Sequence, residues 1–356
     1  MKRILSIFTI LVLTTLVSTP RLMAGNDNRR GTAGATELLI NPWARSSSWG
    51  GINTANARGI DAFFSNIAGL SFVEKTEFVY TNTLLYGGKS GLVSGATMNT
   101  FGLAIRVGEA GVLGAYVSAM GFGDLEVTTV DSPEPGMNGT FSPTVMNLNV
   151  AYAHSFTTSI HGGATIKIIS ESTNNVSASG VALDAGIQYL TGENDELKFG
   201  ISLKNIGPAL SFNGTGMSFT ITNDRNVPMT VQLRPAEMEL PTCLNIGASY
   251  DFLFEQWDQR LTVAANFTSN AFLRDNFGIG FEYSLLNRFQ ARAAYLYQTD
   301  IFDGDNRTTA NTGLHAGASV EFPFGKDGER SLSLDYSYRS ASPMKGTHSI
   351  GATVKF

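Results

Sequence analysis

Cysteine and charge are scarce in this sequence. The chain of 356 residues has a single cysteine, Cys243, while Asp, Glu, Lys and Arg together make up 15% of it and leave a net charge of -5. One cysteine forms no internal disulfide and supplies no cysteine-rich metal site. The low basic content argues against nucleic acid as a partner. The residues next to Cys243 in the sequence place this cysteine on the polar face of a predicted strand, where we expect it to be a small unreactive residue.

Apolar runs long enough to cross a bilayer as a helix are also missing. A transmembrane helix needs about 20 apolar residues. The longest run, ILSIFTILVLTTLV, has about fourteen and follows Met-Lys-Arg. This pattern predicts a secretory signal peptide in residues 1–24, cleaved near Ala24. A helical membrane protein is therefore excluded, although apolar residues make up 43% of the chain.

Sequence signatures of catalysis are absent too. The chain has no HExxH, CxxC pair, Walker-type loop or GxSxG elbow. Its four histidines are scattered over separate predicted strands, and no nucleophile can be paired with a base by spacing. We therefore expect no enzyme activity, no cofactor and no dedicated metal site.

The acidic stretch DIFDGDN is the one candidate for calcium. Asp300, Asp303 and Asp305 offer oxygen ligands that suit this ion, but the stretch lacks the full twelve-residue loop and its terminal Glu. A solvated acidic turn is the favoured interpretation.

An alternation of apolar and polar residues dominates the chain from about residue 76 onward. In NFGIGFEYS, Phe277, Ile279, Phe281 and Tyr283 share one face, opposite glycines, Glu282 and a serine. About fourteen such segments occur, near residues 76–85, 98–107, 111–120, 145–155, 159–170, 179–190, 196–206, 243–253, 260–269, 276–285, 288–298, 312–322, 330–339 and 347–356. Most are about ten residues long, the length that a tilted strand needs to cross a bilayer.

The connectors between these segments distinguish two folds that share the alternation. A soluble β-sandwich would show the same period. Here short joints such as HSFTT and TGENDE alternate with longer stretches that include 121–144, 207–242 and 299–311. Outer-membrane barrels have this asymmetry. The sequence therefore predicts an all-β fold, a transmembrane antiparallel β-barrel of about 14 strands in residues 76–356, in the bacterial outer membrane and in contact with its lipid.

The alternation also assigns side chains to the two faces of the barrel. Aromatic residues expected at the lipid boundary are Tyr189, Tyr250, Phe252, Tyr295, Tyr297, Tyr338 and Phe356. Residues expected to face the lumen are Arg106, His161, Lys167, Asp184, Lys198, Lys204, Asp251, Glu282, Arg292, His315, Glu321, Asp335 and Arg339. Because both signs of charge are mixed there, we expect a partly filled interior with salt bridges.

Residues 25–75 lack this alternation and are rich in Gly, Ala, Ser and Asn. A short helix is predicted around Gly59 to Phe64. A segment of this kind before a barrel of this size can fold into the lumen, so we expect an N-terminal plug, or hatch-like segment.

Two stretches of this segment, ELLINPWARSSSWGG and GIDAFFSNIAGLS, resemble the N-terminal pattern of the PorV/PorQ family of outer-membrane barrels. Those barrels belong to the type IX secretion system and are related to the FadL-type fatty-acid transporters. The matching residues are Leu38, Leu39, Ile40, Ala44, Arg45, Gly50, Gly51, Asp61, Ala62, Asn66, Ala68, Gly69 and Leu70. Ile67 stands where the family usually has Pro, and Trp49 where it often has Met. Six of these, Arg45, Gly50, Gly51, Asp61, Asn66 and Gly69, form the expected hatch motif. For small residues such as Ala68 and Gly69, close packing inside the barrel is the simpler explanation.

The resemblance implies a non-enzymatic barrel that binds secreted cargo or a surface adhesin. Its partners would be proteins with type IX C-terminal sorting domains, or other components of that system. Apolar residues in the long loops are the candidate cargo contacts: Phe122, Phe141, Met217 and Phe219. They could equally pack on one another as a lid. The alternative function is FadL-like transport of a hydrophobic small molecule.

Overall fold

The structure is a computed structural model that describes residues 29–90, 96–129, 131–134, 136–325 and 330–356. The predicted signal peptide in residues 1–24 lies outside the described residues. Within these ranges, no helix is long and apolar enough to cross a membrane.

Strands make up most of the described chain. In chain order they are β1 (Thr76–Leu84), β2 (Thr97–Val107), β3 (Gly111–Gly121), β4 (Leu125–Glu126), β5 (Thr140–Phe141), β6 (Thr144–Ser155), β7 (Ile160–Thr173), β8 (Val176–Thr191), β9 (Leu197–Ile206), β10 (Ser218–Thr222), β11 (Pro228–Gln232), β12 (Cys243–Phe254), β13 (Gln259–Asn270), β14 (Asn276–Leu285), β15 (Phe289–Gln298), β16 (Asn311–Phe324), β17 (Arg330–Ala341) and β18 (Thr347–Lys355). β4 pairs only with β5, and β10 only with β11; both pairs lie in loops.

The other fourteen strands form a closed barrel in which each strand pairs with its neighbours in order and β1 pairs with β18. Every pair is antiparallel, and at the seam Tyr80 lies opposite Ala352. Closure matters because unpaired backbone groups in hydrocarbon cost several kcal/mol each. The predicted barrel of about 14 strands is confirmed. The third segment, with its poor alternation, forms β3.

The two faces of the wall carry the residues expected from the alternation. The histidine and charged side chains predicted to face the lumen all lie on the inward side, and most of them are buried. Phe277, Ile279, Phe281 and Tyr283 of β14 point outward and are exposed. Of the expected boundary aromatics, Tyr295 is partly covered because its ring stacks on Phe302, 6.2 Å away between ring centroids.

A charge on the lipid-facing side should destabilise the barrel strongly. Phe281→Arg, near the middle of β14, should lower the free energy of unfolding by about 2–4 kcal/mol, the cost of burying arginine near the bilayer midplane. The measurement is guanidinium unfolding in phospholipid vesicles. Phe302→Arg is the control, because Phe302 lies in a loop and is 80% exposed. Equal effects of the two substitutions would contradict the lipid-facing position of Phe281.

The two ends of the barrel differ in their connections. At one end, here the turn end, joints such as 108–110 and 286–288 are short. At the other, here the loop end, 122–143, 207–242 and 299–310 connect the strands. Short turns face the periplasm in outer-membrane barrels and longer loops face outward, which places the loop end at the cell surface.

Short helical turns shape the chain before β1. They are the 3₁₀ turn Thr36–Leu39, α1 (Ala44–Ser47), the 3₁₀ turn Gly59–Asp61, α2 (Ala62–Ser65) and the 3₁₀ turn Ile67–Phe72; further 3₁₀ turns at Leu85–Ser90, Thr215–Met217 and Glu255–Trp257 lie in connections. The helix expected around Gly59 to Phe64 is thus a 3₁₀ turn that continues into α2. Asn66 ends α2 and caps the next turn, since its side chain accepts a hydrogen bond from the Ala68 backbone N–H at 3.2 Å.

Candidate functional site

Inward glycines of the wall let residues 29–75, here the N-terminal segment, approach the strand backbones closely. A Cβ atom at Gly186 would collide with the Asn66 amide, and one at Gly200 with the Thr54 carbonyl. The same close approach recurs around the barrel at Gly102, Gly114, Gly278, Gly280, Gly317 and Gly351. The N-terminal segment therefore occupies the inside of the barrel.

Amide side chains satisfy the backbone of this segment where it meets the wall. The Asn66 amide donates to the carbonyls of Thr54 and Ile187, both at 3.0 Å. Gln188 of β8 donates to Thr54 and to Ala57 at 3.1 and 3.2 Å. Because buried backbone carbonyls need partners, these bonds fix the segment to one side of the barrel.

Arg45 joins α1 to β17. Its Nε lies 3.0 Å from Oδ1 of Asp335, one Nη donates to the Ser333 hydroxyl at 2.6 Å, and Asp61 Oδ2 is 3.8 Å from Nε. The Asp335 side chain is only 3% exposed. In such a site, an ion pair that loses one partner leaves a costly buried charge.

The remaining motif glycines serve the local backbone and its packing. Gly50 and Gly51 have φ values of 63° and 84°, a conformation that disfavours other residues. Gly50 also packs against the His315 ring, and a side chain at Gly69 would collide with the Ala57 carbonyl. These contacts give the predicted hatch motif a packing explanation.

Asp61 of the N-terminal segment is expected to make stability depend on pH. Burial raises its pKa from 3.8 to about 7, although Arg45 opposes the shift. The folded chain therefore holds a proton that the unfolded chain has lost between those values, so stability should fall as pH rises through this interval. Asp61→Asn should reduce that slope by at most about 1.4 kcal/mol per pH unit.

Chemical unfolding between pH 5 and 8 measures this slope, with the exposed Asp224→Asn as the control. Some slope should remain in Asp61→Asn, because burial and the Glu171 carboxylate also raise the pKa of Glu37 to about 7. An unchanged slope would show that Asp61 is ionised throughout.

A cavity of 510 Å³ lies at the loop end, between the N-terminal segment and the wall. Its apolar lining includes Leu39, Ile40, Phe64, Phe272, Leu296 and Ile301. Between these residues stand amides, among them Asn245, Asn270 and Gln298. The volume is within the range of about 300–1,000 Å³ typical of small-molecule sites.

Two cations reach the loop-end cavity. Lys204 donates to the Phe64 carbonyl at 2.8 Å, and its Nζ lies 4.0 Å from the centroid of the Phe64 ring. Arg339 of β17 and the His315 ring line the same cavity. The wall strands that carry these residues are far apart in sequence.

The turn end contains two adjoining cavities of 330 and 730 Å³ with a strongly charged lining. Arg45, Arg58, Glu321 and Lys355 line both of them. The helix α1 separates this space from the loop-end cavity, since Arg45 faces the turn end and Ser47 the loop end.

Ion pairs fill much of the lumen, as the mixed charges predicted. Lys167 lies 2.6 Å from Asp184, and Glu282 binds Arg292 and Arg260 at 2.6 and 2.8 Å. Lys198 pairs with Asp251, and Lys355 with Glu321 at 3.5 Å. This interior has no uniform charge of one sign along a wide pore.

The four predicted cargo contacts lie in two separate loops and differ in exposure. Phe122 packs against the cluster that contains Leu85 and Met120. Phe141 of β5 and Met217 are partly buried, and only Phe219 is exposed.

The β10–β11 hairpin presents a more coherent surface than those four residues. Its register puts Phe219, Ile221, Met229 and Val231 on one side, here the hairpin face, and Ser, Thr and Gln side chains on the other. Phe219, Ile221 and Met229 are more than 40% exposed. Sequence reasoning missed Ile221 and Met229, although the alternation in SFTIT and PMTVQ indicates a short hairpin.

The carboxylates of the acidic stretch DIFDGDN form hydrogen bonds and an ion pair with neighbouring groups of the protein. Asp300 lies 2.5 Å from Arg274, and Asp303 accepts hydrogen bonds from Asn306 and from the Asp305 backbone. Among the described residues, no group of His, Cys, Asp and Glu is arranged to hold a metal ion. Asp303 and Asp305 are exposed to solvent.

Comparisons with known proteins identify structural neighbours only. No family model and no curated sequence match the chain. The Pseudomonas putida toluene transporter TodX superimposes with a TM-score of 0.56 at 14% identity, covering 88% of this chain and 96% of the transporter. The CymD monoaromatic hydrocarbon channel gives 0.55 at 16% identity over 89% and 98%. A Pseudomonas aeruginosa FadL homologue gives 0.49 at 13% over 88% and 96%.

At these identities the likeness concerns the fold. Both TodX and CymD are named as a transporter or a channel, and nearly their whole length is covered. Membership of the PorV/PorQ family is not shown by any of these comparisons. The chain is a closed 14-strand β-barrel of the bacterial outer membrane that shares the fold of TodX and CymD, with its N-terminal segment packed inside.

Proposed function

We propose that this barrel takes up small, largely apolar molecules at the cell surface and passes them towards the periplasm, without catalysing a reaction. The observation that carries the proposal is the loop-end cavity of 510 Å³, which faces outward and is lined by apolar side chains of both the N-terminal segment and the wall. The similarity to TodX and CymD, whose names refer to toluene and monoaromatic hydrocarbons, supports this choice over the others.

The N-terminal segment would act as a hatch in this process. Its helix α1 stands between the loop-end cavity and the turn-end cavities, so passage requires the segment to shift. Contacts with inward glycines hold it by packing, and the Arg45–Asp335 pair holds it by charge. If the N-terminal segment shifted, the groups that make these contacts would be hydrated in the turn-end cavities instead.

Uptake of labelled toluene tests the proposal. Cells without channels of this fold would express the intact chain or Ala310→Trp, which fills the loop-end cavity at a residue of its lining. We expect uptake above that of cells with an empty vector, and a loss of most of the gain in Ala310→Trp. The control is Ala236→Trp, at an exposed residue of the 207–242 loop. Uptake that does not depend on the chain would refute the transport function.

Cargo binding in type IX secretion is the second candidate. It is motivated by the resemblance of the hatch motif to the PorV/PorQ family and by the hairpin face, which exposes Phe219, Ile221 and Met229 at the cell surface. Exposed apolar surfaces of this kind mark sites for protein partners. The partner would be a secreted protein with a type IX C-terminal sorting domain, a surface adhesin, or another component of that system.

Copurification from the native membrane in mild detergent tests this candidate. Phe219→Asp with Met229→Asp should abolish recovery of a protein with such a sorting domain. Thr220→Asp with Thr230→Asp, on the polar side of the same hairpin, should leave recovery unchanged. Recovery of no such protein in several detergents would refute this function.

A further inference from the structure

The loop-end cavity has an unbalanced charge. Lys204 and Arg339 line it, and no Asp or Glu among the described residues does. Neither cation has a carboxylate partner in the described part of the chain; Lys204 is held by a carbonyl and an aromatic ring. Elsewhere in the lumen, buried lysines pair with aspartates, as Lys167 does with Asp184. The two cations without a carboxylate partner, Lys204 and Arg339, are thus the ones that line the loop-end cavity.

We infer that the ligand of this cavity is a compact organic anion, with a carboxylate, sulfonate or similar group on a small apolar body. This rests on the proposed function and specifies its substrate class. An anionic group would compensate Lys204 and Arg339, and charge-assisted hydrogen bonds are stronger than neutral ones. The apolar body would lie against Leu39, Phe64 and Ile301, which line the same cavity.

The lining also indicates the shape of the ligand. Amides stand between the apolar residues: Asn245, Asn270, Asn276, Gln298 and Asn311. Among the described residues, Asn276 Oδ1 is buried and has no hydrogen-bond partner. A long acyl chain would leave such groups unpaired, at a cost. A short ligand with an oxygen or nitrogen substituent can satisfy them.

The path beyond the N-terminal segment has the same sign. Among the described residues that line the two turn-end cavities, ten are basic and six are acidic. The whole chain has a net charge of -5, so the inside of the barrel is positive relative to the protein as a whole. This excess of four basic residues favours anions over cations in the turn-end cavities.

Three planar molecules of nearly the same shape separate charge from size. Benzoate, benzamide and benzamidine would be titrated against the detergent-solubilised full chain by calorimetry. We expect benzoate to bind about ten-fold more tightly than benzamide, as one charge-assisted contact predicts, and benzamidine to bind most weakly. Decanoate should bind no more tightly than benzoate. Equal affinity for benzoate and benzamide, or tighter binding of decanoate, overturns the inference.

Variants locate the effect in the cavity. Arg339→Gln and Lys204→Met should each lower the ratio of benzoate affinity to benzamide affinity to near one. Arg225→Gln, in the exposed 207–242 loop, is the matched control for loss of a positive charge. A benzoate preference that survives both cavity variants contradicts the inference. Toluene uptake distinguishes the proposed transport function from the proposed ligand class. If the chain takes up toluene but shows no preference for benzoate, only the ligand class is refuted. If the chain shows neither toluene uptake nor a preference for benzoate, the transport function is refuted as well.

Discussion

Asp335→Ala is expected to destabilise the barrel by up to about 3 kcal/mol, because the partly buried Arg45 guanidinium loses its shortest ion pair and keeps only the longer contact with Asp61 at 3.8 Å. Asp335 accepts bonds from Arg45 and from the hydroxyls of Ser319 and Thr353, and its side chain is 3% exposed. Chemical unfolding in lipid vesicles measures the loss. The control is Glu239→Ala, which breaks the exposed ion pair between Arg29 and Glu239. Because the Glu239 side chain is 63% exposed, this substitution should cost less than about 1 kcal/mol.

A double-mutant cycle separates the pair from its surroundings. Arg45→Met together with Asp335→Ala should recover most of the stability lost in Asp335→Ala, because no unpaired cation remains. A double variant as unstable as the sum of the two single variants would mean that Arg45 and Asp335 do not interact, and would contradict the observed contact of α1 with β17.

Gly186→Leu is expected to displace the N-terminal segment from β8. A leucine side chain at this position would overlap the Asn66 amide, which holds the Thr54 and Ile187 carbonyls. Overpacking costs about 1–3 kcal/mol, and the lost hydrogen bonds add to this. Limited proteolysis within residues 29–75 should become faster, while the fourteen-strand wall stays intact.

Gly121→Leu is the matched control for that substitution. Gly121 is also a strand glycine, at the end of β3, but a Cβ atom there would meet nothing within 4 Å. It should leave both stability and proteolysis unchanged. If Gly186→Leu behaves like Gly121→Leu, the N-terminal segment does not lie against β8.

The wall was predictable because each of its strands carries its own signal. Alternation in NFGIGFEYS specifies an outward Phe281 and an inward Glu282 without reference to any other strand. Lipid on one side and a polar interior on the other act on every residue of a strand, so the period is local information. The same alternation predicted which charged side chains face the lumen.

The contents of the barrel were less predictable. Gly186 and Gly200 look like any other inward residues in their strands, and only the fold shows that Asn66 and Thr54 lie against them. The unbalanced loop-end cavity depends on which inward residues share a level, so that Lys204 of β9 and Arg339 of β17 meet one space. Register between strands far apart in sequence sets that level, and no single segment encodes it.

The seam between β1 and β18 sets an order on biogenesis. The first and last strands of the wall are about the most distant partners in the sequence, with Glu77 opposite Lys355, so their pairing carries a large loop-closure entropy and comes late. Until β1 and β18 pair, the wall is an open sheet whose two edge strands have unpaired backbone hydrogen-bonding groups. The Trp43 and Trp49 rings lie buried inside the wall that this pairing closes. Chains that lack β18 would thus be caught as unsealed intermediates with an accessible interior.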